Sequence, residues 1–115
     1  MVTWNIKVLA NQQDMDPDVS EFLPLFSSEL SKAAAIFQVA SLTENSSEAA
    51  RLCHRMRGSA SLYGFKCFAE RLLSAEALIK AGELLPSAIT VALSAVAAEV
   101  AVYVRTSPQL LTHKP

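Results

Sequence analysis

The sequence predicts an all-α fold, an up-down-up-down antiparallel four-helix bundle. Three observations point there. Only 3 glycines occur in 115 residues, while alanine and leucine are abundant, a composition that suits helix. Four long segments repeat apolar residues at three- and four-residue steps. Short polar or glycine-bearing stretches separate these segments, which brings successive helices back alongside one another.

The elements follow in chain order. Met1–Asn11 could add a short helix capping one end of the bundle, but its apolar residues Trp4, Ile6 and Leu9 are too few to settle that. Asp16-Pro17-Asp18 combines an N-cap, a first-turn proline and a carboxylate that suits the helix dipole. Val19, Phe22, Phe26, Leu30, Ala33 and Phe37 then form one stripe of a long helix. Pro24 inside that stripe either kinks the helix or separates a short first piece from the main one. Thr43 to Ser47 is a polar connection, with the next helix starting near Ser46 or Ser47. Its core stripe is Ala49, Leu52, Met56, Ala60 and Tyr63, and Gly64 supplies the following turn. Phe68, Leu72, Ala75 and Ile79 align on a third helix that Gly82 stops. Pro86 opens the fourth, whose core face is Ile89, Leu93, Val96, Val100 and Tyr103. The bundle core therefore covers about 16–106 of one domain spanning 1–115, with a frayed tail over 107–115.

Bulk composition narrows the function classes. Hydrophobic residues make up 51% and charged residues 18%, enough apolar material for a packed core. A formal net charge of -1 gives no electrostatic reason to expect nucleic acid or an anionic membrane as partner. The longest apolar stretch, Ala88–Val104, is interrupted by Thr90, Ser94 and Glu99 and reads as a buried helix, not a membrane span. Met1–Ala10 lacks the apolar run of a signal peptide. Cys53 and Cys67 flank no metal motif, so they are expected to be small buried apolar residues in a reducing, cytoplasmic setting. Zinc binding by these two with His54 and His113 fits no closed tetrahedral spacing; His113 falls in the tail.

The chemistry concentrates around His54. At about 100° per residue, His54, Arg57, Gly58 and Ser61 share one stripe, opposite Leu52, Met56 and Tyr63. The imidazole is therefore expected to face solvent. Gly58 stands one turn beyond it, and a glycine inside a helix costs about 1 kcal/mol relative to alanine. A steric reason fits: the missing side chain clears space beside the imidazole. Arg57 places a permanent cation there, suited to phosphate oxygens, and Ser61 offers a further hydrogen bond. If the following turn centres near Phe65, antiparallel neighbours have numbers summing to about 130. Glu76 meets that sum with His54, on the flank of its own apolar stripe. Its carboxylate is placed to accept from Nδ1–H of His54, fixing the tautomer that leaves Nε2 as nucleophile.

The run from His54 through Arg57, Gly58, Ser59 and Gly64 to Phe65 resembles the central motif of the histidine-containing phosphotransfer family: His, any residue, an apolar residue, Lys or Arg, Gly, Ser, a small residue, three variable positions, Gly. The resemblance spans about Asp16 to Thr106. It implies a four-helix bundle, often with a short extra N-terminal helix, whose histidine takes a phosphoryl group from a receiver aspartate or a kinase and passes it on. Glu76 matches a position where some members place a glutamate or glutamine near the histidine. Three features depart from the family pattern. Arg57 stands where lysine is commoner, Tyr63 is bulky, and the last helix is unusually rich in valine and alanine.

The function expected from this resemblance is that of a phosphorelay intermediate without kinase activity of its own, since no glycine-rich nucleotide segment or receiver aspartate cluster is visible. The partners implied are response-regulator receiver domains and a sensor (hybrid) histidine kinase. No cofactor of its own is implied, Mg²⁺ coming with the receiver, and a monomer suits a carrier that docks successive partners. Phe22, Leu25, Leu62 and Phe65 are candidates for an apolar docking face near the histidine. Arg51 and Arg55 are either solvated charges or steer an acidic receiver site toward His54. The alternative is an adaptor that binds a kinase or receiver without accepting phosphate.

Overall fold

The computed structural model describes residues 4–11 and 21–106. The Asp16–Asp18 cap, Val19, the tail and His113 lie outside the described residues. Those described are all-helical: α1 (Ile6–Asn11), α2 (Leu23–Leu42), α3 (Ser46–Leu62), α4 (Lys66–Lys80) and α5 (Thr90–Thr106), with a 3-10 turn at Pro86–Ala88. The five helices pack compactly. α3 lies against α4 and α2, α2 against α5, and α1 rests on α5 and α4.

Local chemistry sets the boundaries. Pro24 sits in the first turn of α2, where its missing N–H costs no hydrogen bond, so it does not kink the helix. This start leaves Phe22 ahead of the helix and exposed, a correction to its place on the core stripe. The buried face of α2 is instead Leu23, Phe26, Leu30, Ala34, Phe37, Ala40 and Ser41, with Ala33 half-buried beside it. Asn45 caps α3, its Oδ1 accepting from the Glu48 N–H at 3.2 Å.

The ends of α2, α3 and α4 close in the same way. The Phe65 N–H donates to the Ala60 carbonyl at 2.8 Å and the Gly64 N–H to that of Ser61 at 3.1 Å, with Gly64 at φ 83°. Gly82, at φ 76°, closes α4 with the equivalent pair of bonds. At the end of α2 the left-handed position falls on Glu44, at φ 50°. Strain there costs a non-glycine residue about 1 kcal/mol. The Glu44 carboxylate offsets it by accepting from Ser87, at 3.2 Å from the backbone N–H and 2.7 Å from the hydroxyl, which ties this turn to the start of the last helical segment. Pro86 opens that 3-10 turn, and the α-helix proper begins at Thr90.

One apolar cluster joins all five helices. The stripes Ala49–Leu52–Met56–Ala60–Tyr63 and Phe68–Leu72–Ala75–Ile79 are buried throughout, as are Ile89, Leu93, Val96 and Val100, with Tyr103 half-buried. Cys53 is buried and Cys67 partly so. Phe65, expected on the docking face, has 0% exposure. Its ring stacks 5.2 Å from Phe26 and meets Tyr103 edge-on at 6.1 Å. The helix-closing turn delivers it inward, since the residue after a left-handed cap commonly packs back on the helix it ends. None of the described helices is long and apolar enough to cross a membrane.

Candidate functional site around His54

The buried stripe of α3 fixes what the opposite face presents. With Leu52, Cys53, Met56 and Ala60 inside, His54 turns outward and its side chain is 62% exposed. Gly58 and Ser61 are exposed on the same stripe, and Arg57 is half-buried beside them. A β-carbon added at Gly58 would meet nothing within 4 Å. The glycine leaves open space beside the imidazole and does not serve a close helix crossing.

Glu76 comes from α4, where packing against α3 brings it to His54. Its Oε2 lies 3.4 Å from His54 Nδ1, and its side chain is only 10% exposed. A carboxylate this dry needs cationic company. Lys80, one turn on along α4, places Nζ 3.0 Å from the same Oε2, and Arg57 Nε stands 3.8 Å from Oε1. Burial pushes the Glu76 carboxyl up, but the Lys80 hydrogen bond and charge, with His54 adding to them, outweigh it and hold the group below its ordinary value. Arg57 also reaches His54 directly, with Nη2 3.2 Å from Nδ1. Among the described residues, both polar contacts of the ring are made at Nδ1.

His54, Arg57, Gly58 and Glu76 thus come together, and Lys80 joins them. The expected list lacked Lys80, although a Glu followed by Lys four residues later is a readable helical pair. A groove of about 550 Å³ runs beside the imidazole, lined by Ser46, Ser47, Ala50 and Arg51 of α3 and by Glu76, Ile79 and Lys80 of α4.

No family model, curated protein or solved structure matches this chain.

The outlying candidates sort differently. Arg51 is held by Glu48 in a two-point bond, Nε to Oε1 at 2.7 Å and Nη2 to Oε2 at 3.0 Å, so most of its charge is already answered. Arg55 turns toward α2, beside Phe26, Glu29 and Met56, away from the His54 stripe. Leu62, Leu25 and Phe22 are exposed. Among the described residues no group of three or more His, Cys, Asp or Glu is placed to hold a metal. Burial, with the charge of Glu76 adding to it, pushes the Cys53 thiol up to about 12.

Chemically, the site offers an exposed imidazole whose inner nitrogen touches a buried carboxylate, a guanidinium beside it and clear space one turn away. That combination suits a nucleophile that must be approached from solvent by a large, anionic group.

Proposed function

We propose that this chain is a phosphocarrier of the histidine-containing phosphotransfer type, with its helices forming an up-down-up-down four-helix bundle and the phosphoryl group riding on Nε2 of His54. The 3.4 Å contact between the exposed His54 and the buried Glu76 carries this reading. An ordinary surface histidine has no need of a desolvated carboxylate at Nδ1.

The residues have separate tasks. Glu76 accepts from Nδ1–H and leaves the Nε2 lone pair free. The lone pair attacks the phosphorus of an aspartyl phosphate in line. Arg57 supplies donors for the phosphoryl oxygens, and the gap at Gly58 admits them. Ser61, exposed on the same stripe, stands ready as a further donor. Mg²⁺ and the leaving carboxylate belong to a receiver domain that docks over the site. Leu62, Leu25 and Phe22 supply apolar contacts for it. The carrier is cytoplasmic and monomeric, takes phosphate from a receiver or a sensor kinase, and passes it to a response regulator without hydrolysing ATP. Incubation with a phosphorylated receiver tests this reading. Label is expected on the wild type at an acid-labile site and absent from His54→Gln. Equal labelling of the two proteins would refute it.

A further inference from the structure

His54 Nδ1 has two neighbours that ask for opposite protonation. Arginine only donates, so the Arg57 Nη2 contact at 3.2 Å requires a bare Nδ1 and places the ring proton on Nε2. An ionised carboxylate only accepts, so the Glu76 Oε2 contact at 3.4 Å requires Nδ1–H and leaves Nε2 with its lone pair. Whichever neighbour holds Nδ1 therefore decides whether Nε2 is a nucleophile. Oε2 is in turn the atom that Lys80 binds, at 3.0 Å.

We propose that Lys80 is a positioning residue that holds the Glu76 carboxylate against His54 Nδ1 and so tips the imidazole into its Nδ1–H tautomer against the competition of Arg57. The consequence for transfer rests on the phosphocarrier reading; the tautomer balance does not. Without a close cation, a carboxylate this buried would take up a proton or swing toward water, and either change removes the acceptor from Nδ1. Arg57 is no substitute. Its Nε is 3.8 Å from Oε1, and both atoms are buried without a hydrogen-bond partner. Lys80 has its stem on α4 and its side chain 65% exposed, so it holds Glu76 while its own charge stays hydrated.

The same arrangement couples tautomer to substrate. An arriving phosphoryl group draws the Arg57 guanidinium onto its oxygens and off Nδ1. The Nε2 lone pair then forms the N–P bond as the O–P bond of the aspartyl phosphate breaks, the departing carboxylate keeping the bonding electrons. The imidazole becomes cationic, its proton staying on Nδ1 and still donated to the Glu76 carboxylate, and no separate acid or base is consumed.

The test reads His54 directly by long-range proton–nitrogen NMR correlation of the imidazole in ¹⁵N-labelled protein. An ion pair with one largely exposed partner supports an effect of about fivefold. Lys80→Met is expected to shift the tautomer ratio toward Nε2–H by about that factor, Lys80→Arg to restore it, and Arg57→Ala to move it the opposite way. Phosphoramidate, which gives up its phosphoryl group to imidazole with loss of ammonia, is expected to label Lys80→Met more slowly, in proportion to the fall in its Nδ1–H fraction. An unchanged tautomer ratio in Lys80→Met overturns the role of Lys80 even if the wild type labels normally. A ratio that moves while wild-type His54 takes no phosphate from phosphoramidate or any receiver leaves the Lys80 role standing and removes the phosphocarrier reading.

Discussion

Nδ1 of His54 and Oε2 of Glu76 stand 3.4 Å apart, the first on a ring open to solvent and the second on a carboxylate almost wholly buried. Burying an ionised group is costly without partners, and here the partners are His54, Lys80 and Arg57. The arrangement has consequences for stability as well as for chemistry.

Glu76 gives the fold a measurable acid sensitivity. Its carboxyl is held below the ordinary 4.5 in the folded chain because Lys80 and His54 outweigh the effect of burial. Above 4.5 both folded and unfolded chains carry the charge, and the stabilisation is fully present. As pH falls below that value the unfolded chain takes up the proton first, and the stabilisation is lost down to the folded value. Denaturant titrations of wild type and Glu76→Gln between pH 6 and about pH 3 are expected to show a steeper loss in the wild type. Parallel curves would mean that Glu76 is not held by these cations.

Gly58 separates helix stability from access to the histidine. Apart from the backbone of its own helix turn, nothing lies within 4 Å of an added β-carbon, so Gly58→Ala is expected to stabilise the fold by about 1 kcal/mol through helix propensity. On the phosphocarrier reading, Gly58→Leu should stay folded by circular dichroism yet lose phosphotransfer, because its side chain would occupy the space an incoming phosphoryl group and docking partner need. Full transfer by Gly58→Leu would remove the steric argument.

Phe65 and Leu62 are expected to behave in opposite ways. Phe65 is fully buried between Phe26 and Tyr103, and Phe65→Ala should cost about 3–5 kcal/mol in denaturant unfolding. Leu62 is 63% exposed, so Leu62→Ala should leave the melting temperature nearly unchanged and weaken receiver binding. Calorimetric titration of a receiver that transfers phosphate distinguishes the two effects, and undiminished binding by Leu62→Ala would exclude it from the docking face.

Cys53 should be chemically silent. With its thiol pushed up to about 12 and its side chain buried, almost no thiolate exists near neutrality. Iodoacetamide followed by peptide mass mapping is expected to leave Cys53 unmodified in the native protein and to alkylate it after denaturation. Rapid native labelling would show that the α3–α4 seam opens.

The facing of α3 was legible in the sequence because burying Leu52, Met56 and Ala60 leaves a helix only one way to turn His54 and Gly58. The Glu76 contact was legible from hairpin arithmetic, which depends on chain direction and turn position alone. Other features needed three dimensions. Phe22 shares the apolar period, but the helix starts at Leu23 and puts it outside the stripe. Phe65 looked like a hairpin-tip residue; the Gly64 cap folds it into the core. Lys80 was not singled out from the sequence, and its importance appears once Glu76 is known to be dry. The Arg57 contact depends on a side-chain rotamer, which no spacing rule specifies.

The most direct measurement is phosphorylation of the purified chain by a panel of phosphorylated receiver domains, with the modified residue located by mass spectrometry under alkaline conditions. The phosphocarrier account predicts acid-labile phosphate on His54, none on His54→Gln, and onward transfer to at least one second receiver. An adaptor would instead bind a receiver equally well with His54→Ala and carry no phosphate. Receiver binding without label on His54, or label that survives His54→Gln, would contradict the account.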